Sequence, residues 1–426
     1  MTQKIIWHPF TQEKIAPIPI EITSGKGSYL YDRNGKEYID LISSWWVNLH
    51  GHSRPEIADA IYKQSQTLEH VIFAGITHKP ATTLCEKLQT ILPKNLSRFF
   101  FSDNGSTAVE VALKMAYQYW QNKGETNKTL FLNFQGGYHG DTVGAMSLGA
   151  ESGYHNTFSK LLFPVLTVPF PDTWDGDENV EEKESNALKK LKEHLDKSAE
   201  KIAAFILEPL MQGASGMRFC RHSFINKAVK LVQEYNILVI FDEVMTGFGR
   251  TGTYFALDQL EVDPDFLCVS KGITGGFMPL SLTMTTEKVY EAFLGDSNDK
   301  AFLHGHSYTA NPLGCAAGIA SFDLLTSKET QESIKNINLT HKKCVEILDK
   351  NIIKNIRVLG TISAFDLKKN YTYSELQSLK NHFLEKGLLI RPLGKTIYIL
   401  PPYCTTQRML EDSYEKINDI FYSIFN

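Results

Sequence analysis

Short apolar runs that recur between helical patterns are the feature that most limits the folds open to this chain. The runs are residues 98–103 (RFFFSD), 129–134 (TLFLNF), 202–209 (IAAFILEP), 237–243 (ILVIFDE), 265–271 (DFLCVSK) and 280–286 (LSLTMTT). Their apolar residues are continuous rather than alternating, which indicates strands that are buried on both faces. With helices between them, these strands predict an α/β fold with a mostly parallel sheet, whose ligands lie beyond the carboxyl ends of the strands.

The best-marked helix follows the first of these runs. Apolar residues within 108–119 fall on one helical face, and Thr107 and Glu110 have the spacing of a capping box. The amino end of this helix is therefore expected near residues 103–106.

The pattern of the chain changes after about residue 320. A long helical stretch is followed by β-like runs (IRVLGTISAFDL, LLIRP and TIYILPP) and a terminal helix, which predicts a smaller α+β domain. We predict that residues 1–50 join this small domain, that residues 51–318 form the large domain and that residues 319–426 form the small one. Residues 172–201 are dense in Glu, Lys and Asp and predict an acidic loop followed by a solvated helix.

Composition excludes several classes of protein. The 426 residues carry a formal net charge of -4, so no basic surface for nucleic acid or for an anionic membrane is expected. No run approaches the roughly 18 apolar residues of a membrane helix, and the apolar stretch in the first ten residues is too short for a signal peptide, so a cytoplasmic protein is expected. The 6 scattered cysteines contain no C-x-x-C pair and predict reduced thiols rather than disulfides or a zinc site.

Two charged residues stand at the carboxyl ends of neighbouring apolar runs. Lys271 ends one run and is followed by glycines, and Asp242 ends another. A lysine held away from water has a lowered pKa and can be the neutral amine that forms a Schiff base with an aldehyde, most often pyridoxal phosphate. A carboxylate such as Asp242 can keep the ring nitrogen of that cofactor protonated.

The phosphate and the pyridine ring of such a cofactor could also bind at this edge of the sheet. Gly105 and Ser106 offer backbone N–H groups and a hydroxyl at a helix amino end, which favours a phosphate. Tyr138, just after the second run, could stack on the pyridine ring. Each residue also has a plainer explanation, because Asp242 could cap a turn, Ser106 could cap a helix and Tyr138 could be core.

Six segments together resemble the class III, fold-type I pyridoxal-phosphate aminotransferases over nearly the whole chain. They read SDNGSTAVEVALKMA, GGYHGDT, LEPLMQGASGM, FDEVMTGFGRTG, SKGITGG and HGHSYTANP. The resemblance implies a mostly parallel seven-stranded sheet between helices, a smaller α+β domain, and a homodimer with shared active sites. It also implies small-molecule substrates, an amino donor and a keto acid acceptor.

The same resemblance assigns roles to residues of this chain. Lys271 would bind the cofactor covalently and Asp242 would pair with its ring nitrogen. Tyr138 would stack on the ring, and Gly105 and Ser106 would hold the phosphate. Ser307 would reach the phosphate bound by the other subunit, and no metal is expected.

Further segments resemble a branch of this class that acts in biotin synthesis. They are WHPFTQ, SSWWVNLHGH, GYHGDT and IRPLGKTIYILPPY. This resemblance implies conversion of 8-amino-7-oxononanoate to 7,8-diaminononanoate with S-adenosylmethionine as donor. Trp45 and Trp46 would wall an apolar pocket and Arg391 would bind the carboxylate of the acceptor, while core packing remains the alternative for the two tryptophans. Tyr398 and Asp141 would lie near the substrate.

Phe10 departs from the pattern of this branch, because many members have a tyrosine there. The hydroxyl that could bond the substrate amine is therefore absent. Phe10 and the stretch HGHSYT also resemble relatives that use lysine as donor, so lysine, or the substrates of another class III omega-aminotransferase, remains an alternative.

Two rival interpretations come from other classes of protein. Residues 247–252 fit G-x-G-x-x-G and would suggest a dinucleotide-dependent oxidoreductase if they opened a helix directly after a strand. The pairs His50 with His52 and His304 with His306 would suggest a metal hydrolase, although no carboxylate accompanies them at ligand spacing.

Overall fold

The computed structural model describes residues 5–149, 155–369 and 371–425, so the outermost ends of the predicted domains, at residues 1 and 426, lie outside it. The strands are β1 (Ile22–Lys26), β2 (Tyr29–Asp32), β3 (Glu37–Asp40), β4 (Leu96–Ser102), β5 (Leu130–Phe134), β6 (Val165–Val168), β7 (Ile202–Leu207), β8 (Met211–Gln212), β9 (Arg218–Phe219), β10 (Leu238–Asp242), β11 (Phe266–Val269), β12 (Ser281–Thr286), β13 (Ile353–Leu359), β14 (Ile362–Leu367), β15 (Leu388–Leu389) and β16 (Thr396–Ile399). The α-helices are α1 (Ser43–Trp46), α2 (Pro55–Ser65), α3 (Lys79–Gln89), α4 (Gly105–Asn122), α5 (Val143–Leu148), α6 (Val180–Ser198), α7 (His222–Glu234), α8 (Glu287–Glu291), α9 (Pro312–Leu325), α10 (Lys328–Cys344), α11 (Tyr373–Glu385) and α12 (Gln407–Phe425).

A seven-stranded sheet in the order β4-β12-β11-β10-β7-β5-β6 forms the centre of the molecule. The predicted mostly parallel sheet is confirmed, because only β12 runs antiparallel to its neighbours. The connection from β11 to β12 spans residues 270–280, which is shorter than the dozen or more residues that a parallel crossover needs. The short edge strand β6 is the one member of this sheet that the apolar runs did not predict.

Strands β7, β10, β11 and β12 are buried along their whole length, as the continuous apolar runs predicted, whereas β4 and β6 are only partly buried. Along β10, Leu238 and Ile240 belong to a core shared with α4, whereas Val239 and Phe241 belong to a larger core on the opposite face. Successive side chains of a strand point to opposite faces, so apolar residues are favoured at successive positions of a strand that lies between two cores.

The amino end of α4 lies where the sequence predicted it, but its capping box is different. Asn104 is the N-cap and pairs reciprocally with Thr107, so the expected pair of Thr107 with Glu110 is wrong. The Glu110 carboxylate instead accepts hydrogen bonds from the backbone N–H groups of Gly144 (2.6 Å) and Ala145 (3.2 Å) at the start of α5. Helix α6 is a surface helix with an apolar inner stripe, as predicted.

Two smaller sheets lie outside the central one, and the first of them joins the two ends of the chain. The sheet β1-β2-β3-β15 pairs β3 in parallel with β15, and the sheet β13-β14-β16 is antiparallel. The turn at α1 is tied to the carboxyl-terminal part as well, because Ser43 Oγ donates to the Leu400 carbonyl (2.8 Å) and the Leu400 N–H donates to the Leu41 carbonyl (2.7 Å). The domain boundaries at residues 50 and 318 stay predictions.

The turn at α1 has an unusual backbone. Ser43, Ser44 and Trp46 have φ values of 49°, 63° and 69°, in the left-handed region that non-glycine residues seldom occupy. Asp40 compensates from the end of β3, because its carboxylate accepts hydrogen bonds from the N–H groups of Ile42 and Ser44 and faces His52 Nε2 at 2.9 Å. Strain of this kind persists where surrounding contacts enforce it, often at functional sites.

Candidate active site

A cavity of about 280 Å³ opens at the carboxyl ends of β7, β10 and β11. It is lined by Trp46, Asn104, Gly105, Ser106, Tyr138, His139, Gly140, Glu208, Asp242, Val244, Met245 and Lys271. The structure thus brings together Lys271, Asp242, Tyr138 and the Gly105-Ser106 pair, as expected for residues that follow the strands of one sheet.

Lys271 begins the loop after β11 with a left-handed backbone, φ 46°. Its Nζ lies 4.7 Å from the centroid of the Trp46 ring. Burial lowers the pKa of Lys271 to about 8, against the opposing effect of the negative charges on Asp242 and Glu208. The loop passes so close to the turn at α1 that a Cβ on Gly276 (φ +86°) would lie 2.9 Å from the Val47 carbonyl, which explains the glycine there. Because the pKa of Lys271 is about 8, a fraction of its side chain is neutral near that pH, as an amine nucleophile requires.

Asp242 ends β10 and is 4% exposed. One of its oxygens accepts from the Val244 N–H (3.0 Å), and the other lies 2.7 Å from Nδ1 of the buried His139. Burial alone would lower the pKa of His139, but the hydrogen bond to Asp242 and its charge raise that pKa above its usual value. His139 therefore holds the Asp242 carboxylate in one orientation, a role that the sequence did not predict although the residue adjoins Tyr138.

Glu208 follows β7 and completes the acidic side of the cavity. Its carboxylate accepts hydrogen bonds from the N–H groups of Tyr138 (3.1 Å) and Gly213 (2.9 Å). Burial raises the pKa of Glu208 to about 7. No role was predicted for Glu208 from the sequence, although a carboxylate directly after a fully buried run is the signal that could have indicated one.

The other end of the cavity is built for an anion. Gly105 and Ser106 begin α4, a helix of 18 residues, so free N–H groups and the positive end of the helix dipole face the cavity. A Cβ on Gly105 would lie 2.5 Å from Val244 Cγ1, and one on Gly140 (φ +129°) would collide with Ser106 Oγ. The Asp141 N–H donates to Ser106 Oγ (3.0 Å) and fixes the hydroxyl. A phosphate at this end, an aldehyde at Lys271 and a ring nitrogen at Asp242 all find suitable groups, so the residues fit pyridoxal phosphate.

The predicted substrate residues divide into an inner and an outer pair. Trp46 lines the cavity and donates its indole N–H to the hydroxyl of the buried Tyr398 (3.0 Å). Trp45 is 39% exposed and lies outside, with the Arg391 guanidinium 4.4 Å from its ring centroid and the Phe10 ring at 5.6 Å. An apolar wall thus lies beside a cation, as a long acid would require.

Ser307 is the predicted cofactor-binding residue that does not line the cavity. It is exposed, and its backbone carbonyl accepts a hydrogen bond from His70 Nε2. Its expected role toward the other subunit stays a prediction.

The two rival interpretations find no support in the geometry. Residues 247–252 form turns and lead to a 3-10 helix at Ala256–Gln259, so this glycine pattern does not open an α-helix after β10. His50 contacts Ser321 and His52 contacts Asp40. Across the described ranges, no three His, Cys, Asp or Glu side chains are grouped so that they could hold a metal ion. All 6 cysteines are free thiols, and no helix in the same ranges has the length and apolar character of a membrane span.

Comparisons with known proteins agree with this geometry. The model of the class III aminotransferase family matches residues 10–421. The adenosylmethionine-8-amino-7-oxononanoate aminotransferase of Synechococcus elongatus is 49% identical over 423 residues, which cover 98% of this chain and 99% of the relative. The crystal structure of the enzyme of that name from Methanocaldococcus jannaschii has a TM-score of 0.90 at 35% identity and covers 99% of this chain and 97% of its own. An amine transaminase from an uncultivated Pseudomonas species, solved in its PLP-bound form, has a TM-score of 0.91 at 29% identity with 99% of both chains covered.

Proposed function

The chain belongs to the class III aminotransferases, and from that premise we propose that it converts 8-amino-7-oxononanoate to 7,8-diaminononanoate in biotin biosynthesis. Its cofactor is pyridoxal phosphate. The observation that carries the proposal is the full-length relationship to the enzymes of that name. The cation and aromatic wall beside the cavity agree with a long aliphatic acceptor that ends in a carboxylate.

When bound, pyridoxal phosphate supplies an aldehyde that carries the amino group between substrates and a ring that accepts electrons from the bond that is broken. The Nζ amine of Lys271 takes the proton from the donor carbon that carries the amino group, and in the second half of the reaction it returns a proton to C7 of the acceptor. Asp242, held by His139, keeps a negative charge where the ring nitrogen binds. Ser106 and the amino end of α4 would bind the phosphate, and Tyr138 would stack on the ring.

The outer residues would select the acceptor. Arg391 would bind its carboxylate by paired hydrogen bonds, and Trp45 would lie along the aliphatic chain. Trp46, fixed by its hydrogen bond to Tyr398, would close the inner end of the same path.

S-adenosylmethionine is the proposed amino donor, and lysine is the alternative. The observation that favours the alternative is the Phe10 ring, which lies against Trp45 at the outer end of the site and carries no hydroxyl for a donor amine. Another class III omega-aminotransferase activity is the remaining alternative.

The proposed assembly is a homodimer in the cytoplasm with shared active sites. Ser307 stands in an exposed stretch in which Leu303 is 78% and Tyr308 is 64% exposed. Apolar side chains of this kind commonly become buried against another chain. Burial of this stretch against the second subunit would let Ser307 contact the phosphate that is bound by that subunit.

The test is a coupled assay in which 8-amino-7-oxononanoate is offered with S-adenosylmethionine or with lysine separately. We expect 7,8-diaminononanoate with the first donor, and product with lysine alone would establish the alternative. A short aliphatic keto acid serves as the matched acceptor. Comparable rates with that acceptor, and none with 8-amino-7-oxononanoate, would contradict the proposed substrate.

A further inference from the structure

His155 packs against the ring of Tyr138, and Tyr138 lines the cavity. Its imidazole is 3% exposed and stacks on Tyr138, with ring centroids 5.9 Å apart and planes inclined by 23°. Tyr138 is half-buried and lines the cavity. Offset stacking of this kind restricts a ring more than simple burial does, because it depends on the relative orientation of both planes.

Hydrogen bonds fix the imidazole from both sides. Nε2 lies 3.2 Å from the Asp141 carboxylate and Nδ1 lies 3.4 Å from the Gly149 carbonyl. Both partners are acceptors, so only the doubly protonated ring donates to both of them. The two contacts therefore hold the imidazole between Asp141 and Gly149, with its plane against the phenol.

The same contacts connect His155 to the anion-binding end of the cavity. Asp141 holds His155 through its side chain and holds Ser106 Oγ through its backbone N–H (3.0 Å). The backbone of Tyr138 is fixed separately, because its N–H donates to Glu208 (3.1 Å). The Glu208 bond acts on the backbone of Tyr138, whereas the stack with His155 acts on its ring.

We propose that His155 is a positioning residue that sets the plane of the Tyr138 ring for stacking on pyridoxal phosphate. The inference rests on the role proposed above for Tyr138. His155 acts through that ring, and Asp141 and Gly149 hold its own orientation. The identity of the amino donor and of the keto acid has no bearing on it.

The experiment measures binding of pyridoxal phosphate to the apo-protein, with the visible circular dichroism of the bound cofactor as the second readout. We expect His155→Ala to weaken binding about 3- to 10-fold, the range of a lost aromatic pair, and to reduce the dichroism. His155→Phe retains a ring for the stack and should recover most of both signals. Asp141→Asn preserves the size of this exposed side chain and should show a smaller loss in the same direction, so the role of His155 can be tested even if His155→Ala fails to fold. His194→Ala, a histidine outside the cavity whose Nε2 contacts the Thr167 carbonyl, is the control and should match the wild type.

A double-mutant comparison separates this role from general support of the fold. If His155 acts through Tyr138, the effect of His155→Ala on cofactor affinity should vanish in a Tyr138→Leu background. Equal losses in both backgrounds, or wild-type affinity and dichroism in His155→Ala, would overturn the inference. Wild-type affinity in Tyr138→Leu alone would instead show that the proposed role of Tyr138 is wrong.

Discussion

The site has an inner half, which is the buried cavity, and an outer half, which is the group of aromatic rings outside it. Different kinds of contact hold the two halves. In the inner half, Asp242, His139 and Glu208 are 4%, 4% and 7% exposed, and hydrogen bonds of 2.7 to 3.1 Å fix them. In the outer half, Phe10 is 56% and Trp45 is 39% exposed, and ring contacts hold them. Buried charges keep their orientation because an unpaired one is costly, whereas an exposed ring contact costs little to rearrange.

The difference indicates a division of labour. In the proposed mechanism the inner half would supply chemistry that is common to every transamination, so its groups would need one fixed arrangement. In the same mechanism the outer half would bind a donor and then an acceptor of different shape, so its contacts would have to rearrange. Changes to the inner half should therefore affect all substrates alike, and changes to the outer half should depend on the substrate.

The largest effect is expected from Lys271→Ala, because the site loses both the amine that binds the cofactor and the group that moves the proton. Borohydride should no longer fix pyridoxal phosphate to the protein, and turnover should fall at least about 10³-fold with either donor. Peptide mapping after borohydride treatment measures the first outcome. A labelled peptide that contains another lysine would refute the assignment.

Asp242→Asn should retain the cofactor and slow turnover by about 10²- to 10⁴-fold, since a neutral amide no longer stabilises positive charge at the ring nitrogen. Single-turnover rates with donor and acceptor measured separately should fall together. Glu287→Gln is a matched control, because this exposed carboxylate pairs with Arg98 far from the cavity. Near-normal turnover in Asp242→Asn would remove this residue from its role.

Arg391→Ala should act on the acceptor alone. We expect the half-reaction with 8-amino-7-oxononanoate to weaken by about 2 to 4 kcal/mol in kcat/KM, with an unchanged cofactor spectrum, because a charged hydrogen-bond partner is lost. Arg391→Lys should recover only part of the loss, since a point charge does not reproduce the planar fork. The methyl ester of the acceptor should be nearly indifferent to the mutation. If the variant still prefers the acid to its ester by the wild-type margin, another residue binds the carboxylate.

The smallest effect concerns pH. Since burial lowers the pKa of Lys271 to about 8, the neutral amine is the minor form at pH 7 and the major form at pH 9. The rate at which the apo-protein captures pyridoxal phosphate covalently should therefore rise about tenfold between these pH values and then level off. Stopped-flow absorbance measures this rate. A rate that still rises tenfold per unit above pH 9 would show that the lysine is not shielded from water.

The residues that could be predicted from the sequence are those that follow the carboxyl ends of the buried strands. Lys271, Asp242 and the Gly105-Ser106 pair were predicted to lie together because the carboxyl end of a buried run is visible in the sequence. Parallel strands bring those ends to one edge of the sheet. The strand β6 was missed because it is short, lies at the sheet edge and is only partly buried. The capping box was misplaced because Glu110 has a partner on α5, which lies far along the chain.

The supporting residues of the site could not be predicted in the same way. His139, Glu208 and His155 act through contacts with side chains and backbone atoms on other elements. Neither spacing nor apolar periodicity reports such contacts, because both describe one element at a time. Trp46 and Tyr398 were expected near the substrate, but their mutual hydrogen bond joins parts of the chain that are 352 residues apart.

The ties between the turn at α1 and the carboxyl-terminal strands have a consequence for how the protein is made. A ribosome releases the amino end first, and domains generally fold as they emerge. The Ser43 hydroxyl nevertheless donates to Leu400, which is synthesised 357 residues later. In the same way, β3 cannot pair with β15 until residues 388–389 have been synthesised. The segment that carries Trp46 is thus synthesised early and gains these contacts late. A nascent chain that stops before residue 388 would contain every strand of the central sheet, yet its amino-terminal segment would still lack the contacts with β15 and Leu400.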